Sequence, residues 1–73
     1  MRLKKALEKA KQFGYKYVAV DADLQIYIYL KQRPKVDHCL KEWDHPKLSP
    51  MTVLKIGTYT GKKDWKDTLR EIN

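Results

Sequence analysis

Residues 15–31 read YKYVAVDADLQIYIYLK, and this stretch decides the fold. Residues 15–21 are rich in β-branched and aromatic types, and residues 24–31 alternate strictly with period two. Both patterns predict strands. Between them Asp21-Ala22-Asp23 supplies a tight turn, because aspartate tolerates turn geometry and bonds nearby backbone. The stretch is therefore a β-hairpin. Pro34 ends it, since proline cannot donate to a central ladder.

Working outward, residues 2–13 predict an amphipathic helix. Leu3, Ala6, Leu7, Ala10 and Phe13 share one face at 3.6 residues per turn. Gly14 stands where a left-handed cap is wanted. Residues 53–59 predict a third strand, broken by Thr60-Gly61. Residues 62–72 predict a second helix, with Trp65, Leu69 and Ile72 as its stripe. Lys63, Lys66 and Arg70 lie along one flank and Asp64, Asp67 and Glu71 along the other, with Lys63 set to pair with Asp67. Residues 32–52 read as an irregular insert bounded by Pro46 and Pro50. Val36, Leu40 and Trp43 have helical spacing there, giving a short helix or turn. The expected fold is α+β and two-layered, in the order helix-strand-strand-strand-helix. It has one three-stranded antiparallel sheet with both helices on one face, in a single domain spanning residues 1–73.

The 73 residues are 42% hydrophobic and 34% charged, a folding composition. A chain of this length buries only about 60% of its unfolded surface, which leaves little apolar area to line a deep substrate pocket. No apolar run approaches the ~18 residues of a membrane span. After the basic start Arg2-Leu3-Lys4-Lys5, the charges Glu8, Lys9 and Lys11 interrupt any signal-like core. The single cysteine, Cys39, excludes an internal disulfide and fits a reducing cytoplasm. Net charge is +7, and residues 1–20 hold six bases against one acid. That balance favours anionic partners.

Strand side chains alternate between faces. With uninterrupted strands, Val18, Val20, Ile26, Ile28, Leu30, Leu54 and Ile56 form the face beneath the helices. Tyr15, Tyr17, Tyr27, Tyr29 and Tyr59 all take the opposite parity, together with Lys55. Rings interleaved with lysine suit a docking partner or stacked bases. The same tyrosines also suit plain cross-strand packing. Three alternatives remain for that face: open, covered by residues 32–52 through Leu40, Trp43 and Leu48, or paired with a second copy. Monomer and homodimer both stay open.

A second candidate surface is cationic. It comprises Lys4, Lys5, Lys9 and Lys11 on the first helix, with Lys62 and Lys63 at the start of the second. Lysines at a helix start oppose its dipole, and a bound phosphate relieves that conflict. Asp37-His38-Cys39 and Asp44-His45 carry ligand-type side chains, but their spacing matches no zinc pattern and sets up no nucleophile–base pair. The sequence therefore predicts no catalytic residue, no metal site and no cofactor, and the role of His38, Cys39 and His45 is left open.

The predicted element order, with Lys62-Lys63 opening the second helix, is similar to double-stranded RNA-binding domains. It departs from them in the acidic Asp21-Ala22-Asp23 turn, which would repel a phosphate backbone. Residues 14–21 (GYKYVAVD) and 56–72 (IGTYTGKKDWKDTLREI) resemble short uncharacterised accessory proteins of tailed bacteriophages and prophages. The likeness covers about half the chain and carries no activity with it. It implies a bacterial cytoplasm and an accessory role in infection or lysogeny. The expected function is a non-catalytic module that binds a host or phage protein through the tyrosine face. The alternative is nucleic-acid binding through the lysines.

Overall fold

The computed structural model describes residues 1–44 and 52–72. In chain order these form α1 (Leu3–Gln12), β1 (Tyr17–Val20), β2 (Gln25–Tyr29), β3 (Lys35–Asp37), β4 (Glu42–Asp44), β5 (Val53–Thr58), a 3₁₀ turn (Trp65–Asp67) and β6 (Arg70–Glu71). The fold is α+β. Four strands make one antiparallel sheet in the order β5-β2-β1-β6, and β3 pairs with β4 in a separate hairpin.

Helix α1 forms as its periodicity predicts. Ala6 and Ala10 are buried, and Gly14 adopts φ +77°. The Tyr15 N–H reaches back to the Ala10 carbonyl (2.9 Å) and the Gly14 N–H to that of Lys11 (3.1 Å). These two bonds define a left-handed glycine cap. Phe13 falls outside the core and is exposed. The central hairpin forms as read, with Val18 opposite Ile28 and Val20 opposite Ile26. Its turn closes through Leu24 N–H to Asp21 O (2.9 Å), and Leu24 then adopts φ +70°.

Three expectations are corrected. The sheet has four strands rather than three, because the chain end returns as β6 beside β1. Residues 62–72 are not a helix. Asp64 accepts from the Lys66 N–H (2.9 Å) and caps a single 3₁₀ turn, after which the chain extends. An isolated eleven-residue helix is marginal on its own, and tertiary pairing wins. The Ile72 N–H bonds to Lys16 O (2.8 Å), and Tyr17 and Val18 face Glu71 and Arg70. The predicted stripe is split: Trp65 and Leu69 pack on one side of the sheet, and Ile72 on the other. Nor does the Val36–Trp43 spacing make a helix. Val36 stands opposite Trp43 in the β3–β4 hairpin. The readings of His45, Pro46, Leu48 and Pro50 lie outside the described residues.

Instead of two helices on one face, each face has its own cover. α1 lies over Val18, Val20, Ile26 and Ile28. The β3–β4 hairpin and the 3₁₀ turn lie over Tyr17, Ala19 and Tyr29. β1 is consequently buried at all four positions. Two polar side chains tie the second cover down. Asp21 accepts from the Trp43 N–H (2.9 Å), and the Trp43 indole N–H donates to Val20 O (2.9 Å). Thr68, fully buried, accepts from the Val20 N–H (2.9 Å) and donates to Trp65 O (2.6 Å). It supplies β1 with a partner at Val20, beyond the Tyr17 and Val18 pairings that β6 provides.

Candidate functional site

The five tyrosines do not share a face. Tyr17 and Tyr29 are buried beneath the hairpin, with Tyr27 half-buried beside them. Tyr15 and Tyr59 pack on the α1 side. Two local features break the parity. Tyr15 belongs to the helix cap rather than to β1. In β5, Gln25 pairs with Thr58 while Tyr27 pairs with Lys55, so the odd spacing of Thr58 and Lys55 marks a bulge. One extra residue sends everything after it to the opposite face, and Tyr59 goes with it. Lys55 itself stays exposed. The tyrosine-bearing face is thus core: Trp43 and Trp65 close it, meeting edge-to-face with centroids 6.2 Å apart.

What remains of that face is a cleft of about 230 Å³, lined by Tyr27, Tyr29, Trp43 and Val53 with the carboxylates of Asp21, Glu42 and Asp44. Three carboxylates and no cation line it. Burial, then Asp21, then Asp23 and Glu42, push the Tyr27 phenol above its ordinary value. Tyr29 is pushed well above it, by burial first and Asp21 next.

The cationic residues are arranged differently. Lys4, Lys5 and Lys11 are exposed on the outer side of α1, and Lys9 is half-exposed. Lys4 and Lys11 run along one flank and Lys5 and Lys9 along the other. Among the described residues Glu8 pairs with Lys5 alone, at 4.0 Å across exposed side chains. The first turn of α1 holds no acid, and its cap residue Arg2 makes no side-chain bond to it. Beside that turn lies a cleft of about 600 Å³ lined by Arg2, Leu3, Tyr59, Thr60, Gly61, Lys62 and Lys63. Three of these are cations and none is an acid.

Hydrogen bonds fix both walls of the cleft. The Thr60 N–H donates to Met1 O (3.0 Å), and the Met1 nitrogen donates to Thr58 O (2.7 Å). The Lys63 N–H donates to the Tyr59 hydroxyl (3.2 Å), so the loop 59–63 closes on a buried ring. Gly61 is required there, because a Cβ at that position would run into the Tyr59 side chain. The sequence singled out Lys62 and Lys63 but missed Arg2 and Leu3 as the opposite wall. The basic run at residues 2–5 was the available signal. No local pattern says that it meets a loop nearly sixty residues away.

Fold and site together define a small α+β fold whose described residues form a cationic cleft and, on other elements, an acidic one. Compared with known proteins, the chain matches no family model, no curated protein and no solved structure. Among the described residues no group of three or more His, Cys, Asp or Glu is placed to hold a metal ion, and no helix is long and apolar enough to cross a membrane.

Proposed function

We propose that the protein binds nucleic acid through backbone phosphates, using Arg2, Lys62 and Lys63 together with the outer lysines of α1. The carrying observation is the cleft itself, where cations distant in sequence share one concave surface with no carboxylate in its lining. The other anionic partners fit less well. The apolar stripe of α1 is committed to the sheet, so the helix has no free face to lay into a bilayer. A protein partner at the tyrosine face would have to displace Trp43 and Trp65. Among the described residues a protein-binding role is best served by the joined hairpin tips, where the Ala22 N–H meets Lys41 O and Leu40 is 69% exposed. The resemblance to short phage and prophage proteins supplies a setting for either role, the cytoplasm of an infected or lysogenic bacterium.

Phosphate contacts release counterions, so affinity falls with salt by about 0.7 log units per contact per decade on single strands and about 0.9 on duplex. Anisotropy titrations of labelled oligonucleotides across a salt series measure that slope directly. Lys62→Ala/Lys63→Ala is expected to weaken binding of all sequences alike and to make the slope shallower by roughly 1.4 on single strands. Absence of salt-dependent binding overturns the proposal.

A further inference from the structure

We infer that the Arg2–Lys62–Lys63 cleft takes the terminal phosphomonoester of a nucleic-acid strand in preference to an internal phosphodiester. The inference rests on the nucleic-acid reading above and assigns this cleft a role distinct from that of the α1 lysines.

Shape is the first argument. The cations line a half-open recess of about 600 Å³, so a phosphate seated there is approached from more than one side. Its lining is mixed: Leu3, Gly61 and the edge of Tyr59 offer apolar contact for a sugar or base, while Arg2, Lys62 and Lys63 offer charge. Outer lysines on a convex helix have neither property. They suit diesters passing over the surface.

Charge is the second. An internal phosphodiester carries one negative charge. A phosphomonoester carries about 1.5–2 at neutral pH, because its second pKa lies near 6. Three cations around one cleft, with no acid in the lining, reward the additional charge. Arginine adds a planar fork that engages two phosphate oxygens together, and a terminal phosphate has three to present.

Rigidity is the third. The Tyr59–Lys63 and Thr60–Met1 bonds hold the loop closed before any ligand arrives, and Gly61 lets it pack on the buried ring. A site already in its bound shape spends less of its interaction energy on ordering, which favours discrimination between closely related groups.

The test uses the full chain and three single strands of identical sequence, bearing a 5′-phosphate, a 3′-phosphate or hydroxyls at both ends. At about pH 7.5, one phosphorylated end is expected to bind on the order of tenfold tighter than the hydroxyl strand, consistent with one extra charge among three cations. The two phosphorylated arms show which end the cleft accepts. The preference should shrink at about pH 5.5, where the monoester loses its second charge. Lys62→Ala/Lys63→Ala should abolish it. Gly61→Ala, which keeps every cation but displaces the loop, should weaken it as well. Lys9→Ala/Lys11→Ala should weaken all three strands equally and leave the preference intact. Circular dichroism of each variant separates lost binding from lost folding. Equal binding of the three strands, or a preference indifferent to pH, overturns the inference while leaving phosphate-backbone binding in place. No salt-dependent binding of any strand overturns both.

Discussion

The two faces of the sheet are closed by different means. On the α1 side, Val18, Val20, Ile26 and Ile28 meet Ala6 and Ala10, aliphatic branches against methyl groups. Contact there is non-directional and scales with buried area. On the hairpin side, Tyr17, Tyr29, Trp43 and Trp65 surround Ala19, and Trp43 at the centre makes directed bonds to Asp21, Val20 O and Trp65 O. A buried indole or phenol has to find a polar partner, so this side is specified by hydrogen-bond geometry as well as by volume. The lesson is that period-two alternation sorts side chains into two sets but does not say which set is core. Here both are, with exposed lysines along α1 and the carboxylates of Asp21, Glu42 and Asp44 in the cleft beside the hairpin.

The strongest way to break this comparison is to remove the centre of the hairpin side. Trp43→Ala deletes a large buried side chain, takes the indole bond from Val20 O, which keeps the longer one from the Thr68 hydroxyl (3.3 Å), and removes the edge-to-face contact of the Trp65 ring. A loss of about 3–5 kcal/mol is expected, against about 2–5 for Ile28→Ala on the helix side. In a fold with about 5–15 kcal/mol in total, either change is severe. Urea unfolding of the two variants measures the ratio. A Trp43→Ala protein with an unchanged midpoint would show the hairpin to be an appendage rather than a second core.

How much of this was legible beforehand follows the same division. The α1 side was readable because it depends on local periodicity: the apolar spacing of residues 3–10, Gly14 as a left-handed cap, and alternation in residues 24–31. The hairpin side was not, because its determinants are long-range. Val36 and Trp43 sit seven apart, which fits a helical face and a four-residue hairpin loop equally well. Trp65, Leu69 and Ile72 have an unambiguous helical stripe, yet the unpaired edge of β1 draws the chain into β6 and divides the stripe between two cores. The bulge in β5 left no mark in the sequence that alternation could detect, and it alone moved Tyr59. Of the candidate site, the cationic residues were readable as composition, and Lys62 and Lys63 as a position. Their convergence with Arg2 required the fold.

A milder perturbation separates the faces by pH. Tyr29 is 2% exposed on the hairpin side, and its phenol is held well above the ordinary value near 10, chiefly by burial and then by Asp21. In the unfolded chain the same group ionises near pH 10, while the native chain retains the proton. The native state therefore binds more protons above that pH, and stability falls as pH rises through it. The expected decline is up to about 1.4 kcal/mol per pH unit from this residue. Denaturant midpoints from about pH 8 to 11 should bend downward beyond about 10, and Tyr29→Phe should flatten much of the bend. An unaltered bend in that variant would assign the alkaline loss to groups outside the hairpin-side core.

The smallest expected effect is also the most discriminating, because it probes the two hairpins that carry the comparison. Leu24 ends the β1–β2 turn at φ +70°, and Lys41 ends the β3–β4 turn at φ +54°. The left-handed region costs a residue with a Cβ about 1–2 kcal/mol. Glycine escapes that cost but loses about 0.5–1 kcal/mol of backbone entropy on ordering. Lys41 is exposed, so truncation there sacrifices little buried area, whereas Leu24 is only 47% exposed and gives up packed side-chain area as well. Lys41→Gly should stabilise the fold by roughly 0.5 kcal/mol, the difference of those two terms, and Leu24→Gly by less, because its lost burial offsets the gain. Both turns are tied through Ala22 N–H to Lys41 O, so the double substitution should be close to additive only if neither turn shifts. Stabilisation at Leu24 without any at Lys41 would mean that the β3–β4 turn is not held in its left-handed form in solution. The hairpin side would then be the less determined of the two cores.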